Sequence, residues 1–354
     1  MLKHRNSRNN DAHFLHSQVF LSMCIISMLF MLFVSLPCFG KGAKGDKELL
    51  KLLSVGHEAN LSSLRTWCAQ AKLVFKEVSK DRESVMVRTT DFQFDRSVGA
   101  IRADSIWQHY EDVPLHKNYE DMPSHKTRMH QVREILTYDI YARIDISLSP
   151  EGHRLSRKSS LPHGNIHVTS SDDDPCEAGQ GDASIAILPL KYFYHYGALE
   201  EHYRDWNIHD WKGSLSIKRD EDIVIFRIEL CDYFNQFEYD LTKGCNQVRY
   251  SSGWISDNLL DYEKTVEWEK VNRVFVPSSI LEISYDKDGN IISRRETTFS
   301  NNRVNEPIDP KVFKPEELAA DVMSAGDVMM DYVHNIKKVY LGNGSWEESG
   351  SIMR

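Results

Sequence analysis

Cysteine is scarce in this chain, with six in 354 residues. Cys24 and Cys38 fall near the N-terminus, and Cys68, Cys176, Cys231 and Cys245 are scattered through the body without a CxxC spacing. That excludes a disulfide-built scaffold and leaves a zinc ribbon or thioredoxin-like site without support. The four body cysteines still permit two disulfides in any of three connectivities. Positive charge is also short: 43 Lys and Arg face 52 Asp and Glu, a net charge of −9. Nucleic acid and anionic lipid surfaces both need a basic footprint, so neither is an expected partner. HExxH, EF-hand and G-x-S-x-G patterns are missing, and Gly179-Gln-Gly181 lacks the third glycine of a phosphate loop.

One long hydrophobic run is present. Lys3, Arg5 and Arg8 lead into Val19–Val34, followed by Pro37, Cys38 and Gly40, and the polar body begins at Lys41. A basic start, an apolar core and small residues before a polar stretch describe a secretory signal peptide over residues 1–40. Cleavage is expected after Gly40, with Cys38 three positions back. Pro37 fits poorly before a lipidated cysteine, which weakens a lipoprotein reading. The alternative is an uncleaved anchor, because Val19–Leu36 matches the short end of the roughly 17–25 residues that span a bilayer. Either way the body is exported, to the periplasm or beyond.

The body opens on helical spacing: Leu49, Leu50, Leu52, Leu53, Ala59, Leu61, Leu64 and Trp67 predict an N-terminal helical segment over 41–70, broken near Gly56 or within Asn60-Leu-Ser-Ser63, where Ser62 can serve as a cap. The period then becomes two, and residues 71–341 read as an antiparallel sheet domain. Within it, 109–131 is polar, holds His109, His116, His125 and His130, and reads as a loop insertion. Residues 170–182 read as a second loop, and Leu188–Trp206 as a second helix. Asn272-Arg273 and Asp288-Gly289 sit where tight hairpin turns are expected, and Val328–Leu341 suggests one more hairpin. Residues 342–354 read as a flexible tail. The expected class is α+β, a curved antiparallel sheet of about ten strands with helices covering its concave face.

Several strand phrases recur in a familiar order. They are Leu64-Arg-Thr-Trp67, Phe92-Gln-Phe-Asp-Arg96, Phe237-Glu-Tyr-Asp-Leu241, Lys243–Tyr250, Trp268–Ser278 and Val304-Asn-Glu-Pro-Ile-Asp-Pro-Lys-Val-Phe313. Together they resemble exported bacterial proteins of the type of the lipoprotein carrier LolA and the stress regulator RseB. The resemblance spans about residues 48–341 and implies a half-open barrel whose concave side is plugged by helices. In the carriers that cavity holds the acyl chains of lipoproteins.

For site residues the resemblance and the aromatic pattern point the same way. Phe92, Phe94, Trp107, Phe226 and Trp268 lie on strands, and on a curled sheet such rings line an apolar pocket suited to a lipid or acyl chain. The competing reading is that they fill the core. His163 and His167 with Asp172–Asp174 read as a polar loop more than a metal site. His195, His202 and His209 read as a helix flank, and Cys68 as a small buried apolar residue. No catalytic residue, cofactor or metal is expected. The expected partners are lipid or lipoprotein acyl chains, with an interaction or sensor module of the envelope as the alternative and a hydrolase as a weaker third.

Overall fold

The computed structural model describes residues 44–79, 82–115, 117–137, 139–148, 165–170, 213–319 and 323–352. One α-helix among them, α1 (Lys44–Ser63), precedes the sheet. The strands are β1 (Thr66–Ser79), β2 (Arg82–Asp95), β3 (Ala100–Pro114), β4 (Lys126–Thr137), β5 (Ile140–Leu148), β6 (Asn165–Ser170), β7 (Gly213–Asp220) and β8 (Ile223–Leu230). They continue as β9 (Tyr233–Asp240), β10 (Asn246–Trp254), β11 (Leu259–Val271), β12 (Val274–Tyr285), β13 (Ile291–Val304), β14 (Val328–Asp331), β15 (Ile336–Gly342) and β16 (Ser345–Ser351).

All sixteen belong to one sheet in the order 16-15-14-6-5-4-3-2-1-13-12-11-10-9-8-7. The sheet is open, with β16 and β7 at its ends, and every pairing is antiparallel except β6 with β14. Strand twist accumulated over so many strands curves such a sheet. The α+β expectation therefore holds. The first strand sits in the middle: β1 pairs with β2 on one side and with β13 on the other, where Trp67 lies opposite Val304.

Helix α1 crosses the β7–β12 arm. Leu50 and Leu53 pack on Val224, Phe226, Ile228, Tyr239 and Cys245, whereas Leu61 and Leu64 reach the cluster of Trp67, Phe92, Val274 and Phe299. The expected break at Gly56 is absent, and the glycine serves a close approach instead. A Cβ there would collide with Cys245 Sγ, so only a glycine lets the helix sit this low. The second expected break, Asn60-Leu-Ser-Ser63, is where the helix ends, at Ser63, with Asn60 itself still inside the helix. The Asn60 amide donates to the Phe275 carbonyl (3.0 Å) and accepts from the Phe275 N–H (2.8 Å), while His57 shares a hydrogen bond with Asn246.

The helix ends at Ser63 because other groups take its last carbonyls. Arg96 donates to Leu61 O and Asn305 to Ser63 O, each at 2.8 Å. Asn305 Oδ1 then accepts from Arg65 N at 2.8 Å, and Asn305 N donates to Thr66 O. Asn305 holds a left-handed backbone (φ 60°), which asparagine tolerates better than most residues. Trp67 therefore starts a strand instead of ending a helix, and the sheet begins at Thr66, ahead of the expected residue 71.

Two further sequence expectations change. Residues 109–131 are the far end of the β3–β4 hairpin, with only two short 3-10 turns (Tyr119–Asp121, Pro123–His125) between the strands. That connection folds onto the face opposite α1, where Tyr119 packs with Val85, Val87, Tyr110 and Val113. Residues 342–354 do not fray from Gly342 onward: β15 and β16 form a hairpin, with Tyr340 against Trp346. The same opposite face carries a second apolar cluster, where Phe313 and Leu318 cover Ile135, Ile144 and Ile166. The Asn272-Arg273 turn is as expected, both residues having positive φ. Residues 1–40, Cys176, most of 170–182 and the second helix at 188–206 lie outside the described residues. Among the described residues no helix is long and apolar enough to cross a membrane.

Gly56→Ala should lose about 1–3 kcal/mol in urea unfolding despite alanine's better helix propensity, because the methyl meets Cys245. The double variant Gly56→Ala with Cys245→Ala should recover most of that loss. Asn305→Ala should lose about 2–3 kcal/mol, from the orphaned helix end and the left-handed backbone, with faster hydrogen exchange at Arg65 and Thr66. Asn305→Gly should regain only the backbone part, about 1 kcal/mol.

Candidate functional site

Directly opposed residues of an antiparallel ladder project to the same face, so the register of β2–β5 reads out, row by row, the face that continues from the end of α1. The first row is Phe94, Ile101, Leu136 and Tyr141, and the second is Phe92, Ala103, Glu134 and Arg143. The third is Thr90, Ser105, Val132 and Asp145, and the fourth brings Arg88, Trp107 and His130 together. Moving away from the end of α1, the face thus changes from apolar to polar within four rows.

Glu134 is the central polar group of this face and is fully buried, at 0 % exposure. Its Oε1 accepts hydrogen bonds from Tyr141 Oη and from Arg143 Nη1. Arg143 is in turn held by Asp145 through two bonds of 2.7 and 2.9 Å, a bidentate geometry that fixes the guanidinium plane. Glu134 Oε2 has no hydrogen-bond partner. Burial pushes the Glu134 carboxyl above its ordinary range, against the opposing pull of Tyr141 and Arg143. Thr90 and Ser105 satisfy one another at 2.8 Å in the next row.

The fourth row is a stack. The Arg88 guanidinium lies 4.9 Å from the Trp107 ring centroid, and the His130 ring lies near-parallel to the indole at 5.4 Å. His109 extends the stack, 5.7 Å from His130. These separations match the ~4.8 Å spacing between strands, which stands neighbouring rings face to face. Burial lowers the pKa of both histidines, and each is lowered further by a neighbouring positive group, Arg128 for His109 and His109 itself for His130. Trp107 Nε1 is buried and unpartnered.

The five aromatic residues expected to line one cavity are spread over three places. Phe92, Phe94 and Trp268 share the central cluster, where Trp67 meets Phe92 edge-on at 4.7 Å and Phe299 at 5.7 Å. Phe226 belongs to the cluster under Leu50 and Leu53. Trp107 stands apart in the polar stack. His109 and His130 were expected to be solvated loop residues; pairing of β3 with β4 half-buries them instead. The signal for both was period two, since Trp107 and His109 alternate, as do His130, Val132, Glu134 and Leu136. Glu134 was marked only as one charge interrupting that apolar alternation.

Cys68 and Cys245 are buried free thiols whose pKa burial raises, so both are poor nucleophiles, and Cys231 is free and exposed. Among the described residues no group of three or more His, Cys, Asp or Glu is placed to hold a metal ion. His163, Asp172–Asp174, His195, His202 and His209 lie outside the described residues, as does the side chain of His167.

No protein-family profile and no curated protein sequence matches the chain. Among solved structures, it is similar to a DUF1329 family protein from Desulfovibrio piger, at 10% identity over 75% of this chain and 96% of that one, with a TM-score of 0.32. It is also similar to a LolA superfamily protein from Nitrosomonas europaea, at 11% identity over 75% and 96% of the two chains, TM-score 0.30. A beta-barrel-like DUF1849 protein from Brucella abortus follows at 7% identity over 69% and 99%, TM-score 0.28. At these identities and scores, ligand and activity rest on this chain's own residues.

The Glu134 titration gives a stability signature. A carboxyl whose pKa is raised by folding keeps its proton in the folded state after the unfolded chain has released it. Stability then falls as pH climbs above the ordinary value of 4.5. Glu134→Gln removes that titration. The melting temperature of the variant relative to the parent chain should therefore rise steadily from pH 4.5 toward neutrality. A difference independent of pH would show that the carboxyl titrates normally.

Proposed function

We propose that this chain is an exported, noncatalytic binding protein of the cell envelope that holds a hydrophobic or amphiphilic ligand, such as a lipid or the acyl chains of a lipoprotein, between α1 and the sheet. The observation that carries the reading is the graded face. Phe92, Phe94 and Trp268 belong to the apolar floor, and two strands along the Phe92 row lies the buried Glu134, one of whose oxygens is unpartnered, with Thr90 and Ser105 in the next row. A face apolar at one end and polar at the other suits a molecule with a tail and a head.

Tail binding is area-driven, worth about 0.8 kcal/mol per buried CH₂. Leu61 and Leu64 cover the apolar floor, so α1 is the element that yields to a tail. Its leucines bury apolar area that a tail can replace, and the hydrogen bonds of His57 and Asn60 mark the place to which the helix returns. The β3–β4 connection packs on the opposite face, away from this floor.

The test is native mass spectrometry of the purified chain, paired with organic extraction and then uptake of a lipophilic fluorescent probe by the delipidated protein. A bound mass that extracts as lipid, or saturable probe uptake, supports the reading. A clean mass unchanged by added lipid would overturn it. That outcome would favour a filled core acting as scaffold for a partner protein of the envelope, a second reading supported by the close packing of Trp67, Phe92 and Phe299.

A further inference from the structure

Buried polar atoms without partners are uncommon in folded proteins, and each calls for an explanation. The sheet face that continues past the end of α1 onto β3 and β4 holds two of complementary kind. In the ionised form Glu134 Oε2 is an acceptor lacking a donor, and Trp107 Nε1 is a donor lacking an acceptor. Both project from the same face: Ala103 lies opposite Glu134, and Trp107 is four residues along the same strand. At about 3.3 Å per residue along the strand and one strand spacing across, the two backbone positions are ~14 Å apart, a span that two hydroxyls of one molecule must bridge.

The surroundings select the chemistry of a ligand. Oε2 requires a donor, but a cationic amine would enter beside Arg143 and Arg88, whose charges already act on Glu134. An anionic head has no proton to offer and would meet Glu134 and Asp145, while Arg143 is already committed to both carboxylates. The groups that remain are neutral. Among these a hydroxyl both donates and accepts, so a single type of group satisfies Glu134 and Trp107 together. Both faces of the indole are occupied, by Arg88 and His130, so the ligand meets its N–H edge and does not stack on the ring.

We propose that Glu134 and Trp107 form a head-group subsite for a neutral, hydroxyl-bearing molecule, a saccharide or polyol, with Glu134 Oε2 accepting from one hydroxyl and Trp107 Nε1 donating to another. This rests on the amphiphile-binding reading, in which the hydroxylated head belongs to a lipid; a free sugar offers the same chemistry.

Isothermal titration below micelle-forming concentrations separates the cases. The probes are dodecyl maltoside, dodecanoate, dodecyltrimethylammonium and free maltose, applied to the full chain and to Glu134→Gln and Trp107→Phe. The first substitution can turn the orphan acceptor into an amide donor of the same shape. The second keeps an aromatic ring in the stack while removing the N–H. The expected result is that dodecyl maltoside binds more tightly than the two charged amphiphiles. Each substitution should weaken it about tenfold or more and leave dodecanoate unchanged. Equal binding of all three amphiphiles, unaffected by both variants, would overturn the subsite and leave the amphiphile reading standing. Maltose binding as tightly as dodecyl maltoside, with the same loss in both variants, would uphold the subsite and overturn the lipid source. No binding by any probe overturns both.

Discussion

The pairing of β1 with β13 is the constraint on which the rest of this structure depends. It joins segments 240 residues apart in sequence and places the first strand at the centre of the sheet. Closing a loop of that length costs about 5 kcal/mol in chain entropy. A long ladder offsets that cost, and so does the burial of Trp67, which meets Val304 across the seam and hydrogen-bonds Asn302. Asn305 then uses the end of the seam to fasten the helix. By binding Ser63, Arg65 and Thr66, it ties the end of α1 and the start of β1 to the close of β13. A left-handed asparagine thus fixes where α1 ends on the sheet.

The helix is seated by contacts of two kinds. Leu50, Leu53, Leu61 and Leu64 bury apolar area, which is tolerant of sliding. Gly56 against Cys245, His57 with Asn246 and Asn60 with the Phe275 backbone are specific to one position. This division suits an element that must return to one place after moving. The sheet face beneath it is organised by register alone. Because opposed residues share a face, the alternation within β2, β3, β4 and β5 sorts apolar and polar side chains into rows, and no loop is needed to build the polar end.

Much of the sheet was legible in the sequence because strand alternation and turn residues are local signals. Asn272-Arg273 announces a hairpin, and β11 and β12 pair across it. What misled was also local. Gly56 and Asn60 have the composition of a break, yet each is explained by a partner, Cys245 or Phe275, about 190 or 215 residues away. The helix end was placed late for the same reason, since the groups that terminate it are Arg96 and Asn305. The polarity of 109–131 concealed strands because His109 and His130 become half-buried only by standing against each other and Trp107. The candidate site was the least legible: the aromatic rings could be placed on strands, but which of them meet depends on the strand order. Glu134 became conspicuous only when its row neighbours, Tyr141 and Arg143, were known.

The seam also puts a clock on this protein. β1 emerges from the ribosome long before its partner, and β6 likewise precedes β14, the strand that it pairs with in parallel. At roughly 5–20 residues per second, the 240 residues between the two sides of the first seam represent on the order of 10–50 seconds of synthesis. Throughout that interval the apolar edge of β1, Trp67 included, has no β13 to pair with, and α1 has no Asn305 to end it. A chain built around its first and thirteenth strands completes its core only when most of it has been made. Whatever shields β1 in that interval is as much a part of this fold's success as the contacts in the finished sheet.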